Sequence, residues 1–113
     1  MATLHVDHHF SGPAIIVKAA GDVDLTTAQL LDDHLTAAAT LADPPAPVVA
    51  DLREVMFFGS NGVSVLLRAH QRCQRHHTPL HVLADRPVTR PLAVLGLRQT
   101  FLLCPTLTAA LNR

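Results

Sequence analysis

Residues 48–67 read VVADLREVMFFGSNGVSVLL, and this stretch decides the fold. Its first part, Val48–Leu52, is short and apolar, which predicts a central strand that is covered on both faces. A short loop follows, and a helix begins at about Ser60 with its apolar residues on one stripe. This order of strand, loop, serine and helix places a hydroxyl at a helix N-terminus, where an anion is tolerated.

The rest of the chain repeats the alternation of strands and helices. Alternating or apolar runs predict strands at residues 4–8, 14–20, 48–52, 80–84 and 101–103. The first two strands flank the turn Ser11-Gly12-Pro13 and are expected to form a hairpin, with Gly21–Asp24 as the loop after the second strand. Helices are expected to begin near Thr26 or Thr27, Ser60, Pro87 and Thr106. In the third helix, Val88, Leu92 and Leu95 form the expected buried stripe, and Gly96 is the expected left-handed cap.

The predicted element order is ββαβαβαβα. Strands that alternate with helices indicate an α/β domain with a largely parallel sheet, and the first hairpin makes that sheet mixed. Neither a linker nor an internal repeat divides the sequence. We therefore predict one domain over residues 1–113, with about four helices.

The composition excludes several classes of partner. The chain has zero formal net charge, with 49% hydrophobic and 16% charged residues, so neither a disordered chain nor a basic nucleic-acid surface is expected. All apolar runs are shorter than the roughly 20 residues of a membrane span. The N-terminus lacks the pattern of a signal peptide. The sequence therefore predicts a cytoplasmic protein that binds no nucleic acid and has no membrane span.

No motif predicts catalysis or a cofactor. The segment Gly59-Ser60-Asn61-Gly62 differs from the G-x-S-x-G nucleophile elbow, and no glycine-rich nucleotide-binding motif is present. Cys73 and Cys104 are far apart and are expected to be reduced, buried thiols. No H-x-x-x-H pair lies on a predicted helix, so the histidines are expected to be solvated rather than to bind a metal. The prediction is a protein without enzymatic activity, cofactor or metal.

Four short blocks resemble the STAS domain, the fold of bacterial anti-sigma factor antagonists. They stand in the family's order and spacing, and the similarity covers essentially the whole length of the chain. The blocks are Gly21–Leu25, Val48–Val55, Phe58–Val63 and Val94–Leu97. The resemblance implies a STAS-like fold and a regulatory role in which the protein binds an anti-sigma factor and so frees a sigma factor.

The resemblance also implies a phosphorylation site. In the family, the segment before the second helix usually reads Asp-Ser-Ser-Gly or Asp-Ser-Thr-Gly, and an anti-sigma factor with serine kinase activity phosphorylates its first serine. Ser60 is the matching position. Gly62 is kept, whereas Gly59 replaces the aspartate and Asn61 replaces the second hydroxyl residue. Loss of the aspartate removes repulsion against a phosphate, and it also removes a group that a kinase or partner would recognise.

The residues expected to contact the anti-sigma factor surround this serine. In the family, the loop after the second strand faces the partner, and Asp24 matches it better than Asp22; either aspartate is alternatively a helix cap. Phe57 and Phe58 are adjacent, so one is expected in the core and the other at the interface. The predicted contacts are Asp22, Asp24, Phe58, Gly59, Asn61 and Gly62.

Other interpretations of the same residues stay open at this point. Serine is favoured at the N-cap of a helix regardless of function, and loss of such a cap costs about 0.5–2 kcal/mol. A STAS module in a signalling or lipid-transport complex would use the Ser60 segment only as an interface, without phosphorylation. A small hydrolase is the third class.

Overall fold

The structure, a computed structural model, describes residues 3–112 and has the predicted element order. The strands are β1 (Leu4–Ser11), β2 (Ala14–Val23), β3 (Val48–Phe58), β4 (Leu80–Ala84) and β5 (Leu102–Cys104). The helices are α1 (Ala28–Leu41), α2 (Ser60–Arg75), α3 (Arg86–Val94) and α4 (Leu107–Asn112). The predicted α/β fold class is confirmed.

The strands form one mixed sheet in the order β1-β2-β3-β4-β5. β1 pairs antiparallel with β2 across the turn at Gly12 and Pro13, and every later pair of neighbours is parallel. The carboxyl ends of β2 and β3 therefore lie side by side at one edge of the sheet. Asp24 follows the first of these ends and Gly59 follows the second.

Three helices cover one face of the sheet, and one short helix covers part of the other. The larger core joins the sheet to α1, α2 and α3, with Leu31, Leu66 and Leu92 fully buried. The smaller core lies under α4, where Ala110 packs on residues of β2, β3 and β4. Burial of these apolar side chains is the main favourable term in folding.

β3 runs to Phe58, so residues 53–58 are strand rather than the predicted loop. The pairing of β2 with β3 shifts register twice, between Lys18 and Ala20 and between Gly21 and Asp22. Each shift adds a residue on β3, and such bulges break the simple alternation of buried and exposed side chains. Because the burial of residues 53–58 is irregular, the sequence pattern gives no sign that the strand continues there.

β2 is also longer than predicted, because Gly21, Asp22 and Val23 belong to the strand rather than to a loop. Gly21 has a φ of +121°, and a Cβ at this position would lie 2.3 Å from the carbonyl oxygen of Thr3. Only glycine fits there without strain. The glycine that marked a loop in the sequence is thus a special position within a paired strand.

The third helix ends as the sequence predicts. Pro87 lies in its first turn, and Gly96 adopts a φ of +71° beyond its last residue, which confirms the expected left-handed cap. Leu95 was expected on the buried stripe with Val88 and Leu92, and this is wrong. The helix ends at Val94, and the Leu95 residue is 56% exposed.

Candidate functional site

Ser60 is the first residue of α2 and follows the end of β3 almost directly. Gly59 alone joins the two elements, and it takes the N-cap position with an extended backbone (φ −83°, ψ −174°). Its carbonyl accepts hydrogen bonds from the N–H groups of Gly62 (3.0 Å) and Val63 (3.2 Å), which close the first turn. The N-cap role considered for Ser60 is therefore wrong, because Gly59 already occupies that position.

The Ser60 hydroxyl contributes no hydrogen bond to the described part of the fold. The residue is exposed, and its side chain makes no hydrogen bond to another group within residues 3–112. The N–H groups at the start of a helix have no partner in a preceding turn, and they give this end a partial positive charge. The first turn of α2 holds no acidic residue. An anion attached to Ser60 would therefore meet an attractive field.

Asp24 organises the loop between β2 and α1. Its Oδ1 atom accepts hydrogen bonds from the N–H of Thr26 (2.9 Å), the hydroxyl of Thr26 (2.8 Å) and the N–H of Thr27 (3.2 Å). The Thr27 hydroxyl donates to the Asp22 carbonyl (2.7 Å) and accepts from the Asp24 N–H (2.9 Å). Thr27 is the N-cap residue of α1 but makes no side-chain bond to the helix. Asp24 has a structural role here, and its contact with a partner stays a prediction.

Asp24→Ala is expected to lower stability at neutral pH and to flatten the acid end of the pH profile. The hydrogen bond from Thr26 holds the pKa of the Asp24 carboxyl below its usual value. A lowered native pKa stabilises the fold above the unfolded pKa of about 3.9, and this contribution is lost as pH falls through the native pKa. Urea unfolding of both proteins between neutral and acid pH measures it. Parallel profiles would contradict the role of Asp24.

A hydrogen bond beyond the strand pairing joins this loop to the serine segment. The N–H of Gly59 donates to the carbonyl of Val23 at 3.0 Å, where β2 and β3 end side by side. Asp22 is half-buried, and its carboxylate has no hydrogen bond or ion pair within the described part of the chain. Leu25 is 80% exposed in the adjoining loop. Asp22 and Leu25 are thus close in the fold to Ser60 and available to a partner.

Phe58 belongs to the core, and its contact with a partner stays a prediction. Its residue is 3% exposed, whereas Phe57 is 54% exposed. A Cβ on Gly62 would lie only 2.6 Å from Cε1 of Phe58, so the first turn of α2 and this ring need glycine at position 62. Gly62 is buried as well. Phe57 is thus the exposed member of the pair, and Gly62 lets the ring of Phe58 pack closely against the first turn of α2.

An open apolar groove of about 490 Å³ lies beside Ser60, between the end of β3 and α3. Its buried floor includes Phe58 and Val63. Four large apolar residues along it are exposed: Met56 (74%), Phe57 (54%), Val94 (77%) and Leu95 (56%). The remaining lining residues are Gly59, Ser60, Arg86, Pro87, Arg90 and Pro91. Exposed apolar patches of this kind mark surfaces that bind other molecules.

A model of the STAS domain matches residues 5–110, which is nearly the whole chain. The chain belongs to the STAS domain family. The family expectation drawn from the four sequence blocks is thus confirmed, and the fold agrees with it.

Relatives of this STAS domain include anti-sigma factor antagonists. It is 31% identical over 108 residues to the anti-sigma-F factor antagonist RsfA of Mycobacterium tuberculosis, covering 95% of this chain and 83% of RsfA. The crystal structure of an anti-sigma factor antagonist from Mycobacterium paratuberculosis superposes with a TM-score of 0.84 at 29% identity, covering 96% and 91% of the two chains. Unphosphorylated SpoIIAA shares the fold, with a TM-score of 0.73 at 13% identity and coverage of 93% and 92%.

The STAS fold brings together only part of the predicted contact set. Gly59 and the half-buried Asn61 flank Ser60 in the chain, and Asp22 lies on β2 in register with Phe57, whereas Phe58 and Gly62 are buried beneath the surface. The sequence-based set missed other residues that line the groove, namely Met56, Arg86, Arg90 and the exposed Val94 and Leu95 at the C-terminal end of α3. The block Val94–Leu97 was one available signal, because two large apolar residues stand there next to the helix-ending Gly96.

Other groups in the STAS domain offer little chemistry. Burial raises the pKa of the Cys73 thiol to about 11, so this thiol stays protonated and unreactive at neutral pH. Within residues 3–112, no group of three or more histidine, cysteine or acidic side chains is arranged to hold a metal ion. No helix in that range is long and apolar enough to cross a membrane.

Proposed function

We propose that this protein is an anti-sigma factor antagonist, which binds an anti-sigma factor with serine kinase activity and is switched by phosphorylation of Ser60. The observation that carries the proposal is the exposed Ser60 hydroxyl, which has no hydrogen-bond partner among residues 3–112 and stands beside an open apolar groove. RsfA, which matches 95% of the chain, is named for the antagonist role. A protein with this role acts in the cytoplasm, without a cofactor and without catalysis of its own.

The proposed modification is a phosphoryl transfer from ATP bound to the partner. Ser60 Oγ forms a bond to the γ-phosphorus, the bond between that phosphorus and the β–γ bridging oxygen breaks, and ADP leaves. A base of the kinase takes the hydroxyl proton. The exposure of Ser60 supports this step, because the hydroxyl breaks no hydrogen bond of the fold when it reacts.

The switch is electrostatic. A phosphate adds about −1.5 to −2 charges at neutral pH. The free protein tolerates this charge, since Ser60 opens α2, and Gly59 supplies no neighbouring carboxylate. The phosphate makes the partner-binding surface around Ser60 negative, however, so a partner that binds the neutral serine is released. Gly59 thus favours a stable phosphorylated form.

Incubation with a kinase-type anti-sigma factor of the source organism, ATP and Mg²⁺ is expected to add one phosphate, at Ser60. Mass spectrometry of the intact protein and its peptides measures the addition. Ser60→Ala should stay unmodified. Ser64 is an exposed serine one turn further along α2, and the control variant Ser64→Ala should be modified like the wild type. Failure of every such kinase, shown to be active on another antagonist, would contradict the switch.

A second candidate function is a STAS module of a signalling or lipid-transport complex, without phosphorylation. Gly59 favours it, because the acidic residue that usually precedes the family's serine is missing. In that case the groove binds its partner regardless of charge at Ser60. The same binding by wild type, Ser60→Ala and Ser60→Asp would support this candidate.

A further inference from the structure

The groove beside Ser60 combines apolar surface with unpaired positive charge. Arg86 and Arg90 lie one helical turn apart in α3, line the groove and are both exposed. Neither forms an ion pair with another residue of the described range. No aspartate or glutamate lines the groove. The chain as a whole has zero formal net charge, so this positive charge is local to the groove.

The acidic residues closest in sequence to the groove-lining residues do not neutralise the positive charge of the groove. Asp85 precedes Arg86 as the exposed N-cap residue of α3, but it does not line the groove. Asp51 is paired with Arg53 through two contacts of 2.9 Å, and Glu54 is paired with Lys18 at 2.7 Å. The carboxylates of β3 are therefore engaged in ion pairs, while the two groove arginines have no acidic partner among residues 3–112.

We propose that the groove binds an apolar segment of the anti-sigma factor whose flanking side chains are acidic. The proposal rests on the proposed function, because the occupant is a segment of that partner. Met56, Phe57 and Val94 provide the apolar contact, and buried aromatic and apolar anchors contribute most of the energy in such interfaces. Arg86 and Arg90 select carboxylates, since guanidinium groups pair with them in bidentate fashion. A basic segment would be repelled.

This arrangement gives the switch a physical basis. Ser60 lines the same groove as the two arginines. A phosphate on Ser60 would stand next to the carboxylates of the bound segment and would compete with them for the arginines. The acidic character of the partner and the negative charge of the modification thus act against each other.

Two synthetic peptides test the proposal without the anti-sigma factor. Each is amphipathic, about 18 residues long and helical, with the same leucine stripe, but one has glutamates beside the stripe and the other lysines. Fluorescence anisotropy with the full chain is expected to show at least about tenfold tighter binding of the acidic peptide, and the difference should shrink with salt. Arg86→Glu/Arg90→Glu should reverse the preference.

Arg98→Glu controls for a charge reversal outside the groove, because Arg98 is exposed but does not line the groove. It should leave the preference unchanged. Equal binding of the two peptides, binding of neither, or the same preference in Arg86→Glu/Arg90→Glu would overturn the proposal. Concentration-dependent dimerisation that Val94→Ser/Leu95→Ser abolishes would also overturn it, by showing that a second copy fills the groove. None of these outcomes bears on phosphorylation of Ser60, which the kinase assay tests separately.

Discussion

Ser60→Asp is expected to bind the anti-sigma factor at least about 30-fold more weakly than the wild type, a loss of about 2 kcal/mol. The carboxylate places negative charge in the groove that is proposed to bind an acidic segment of the partner, and like charges within an interface cost several kcal/mol. Ser60→Ala removes no hydrogen bond of the fold and should bind within about twofold of the wild type. Isothermal titration calorimetry with the purified partner measures both values.

Ser64→Asp provides the control for charge alone. Ser64 is exposed in the same helix but does not line the groove, so its variant should bind nearly as the wild type does. If Ser64→Asp and Ser60→Asp weakened binding equally, the effect would be one of net charge rather than of the groove. Full binding by Ser60→Asp would refute the charge switch and leave the fold assignment intact.

Gly62→Ala is expected to lower the free energy of unfolding by about 2 kcal/mol, although alanine is the better helix former by about 1 kcal/mol. The new Cβ would lie 2.6, 2.8 and 2.9 Å from three ring carbons of Phe58, which is buried and has little room to move. Urea unfolding followed by circular dichroism measures the change. Asn61→Ala, in the same first turn, is the matched control and should cost much less.

A double variant shows whether the ring is the cause. In a Phe58→Leu background the aromatic carbons are absent, so Gly62→Ala should cost little or should stabilise the helix. The same cost in both backgrounds would mean that Gly62 is needed for another reason. The folded fraction of Gly62→Ala should still bind the partner, because position 62 is buried beneath the surface.

Much of the fold follows from the sequence, because its main elements have a clear period. The apolar run Val48–Leu52, the turn at Gly12 and the cap at Gly96 each gave a correct local prediction. The extension of β3 to Phe58 was hidden, because bulges against β2 break the period of two on which strand prediction rests.

The site was harder to predict than the fold. The position of Ser60 followed from the family blocks, but two adjacent phenylalanines look alike in sequence, and only the register of β3 decides that Phe58 is buried and Phe57 exposed. The groove joins β3 to α3, which are far apart in the chain. No local pattern indicates that Arg86 and Arg90 face the same opening as Ser60.

The hydrogen bond from the Gly59 N–H to the Val23 carbonyl affects how variants around Ser60 must be interpreted. This bond extends the pairing of β2 with β3, which reaches Val23 and Phe58, so the segment that Asp24 organises and the segment that presents the serine are expected to move together. If a substitution of Asp24 weakens partner binding, the loss therefore has two possible causes: a lost contact of Asp24 or a displaced Ser60. Hydrogen exchange of the Gly59 amide distinguishes them. Faster exchange in the variant shows that the bond to Val23 opens and the serine is displaced, whereas unchanged exchange indicates a lost contact.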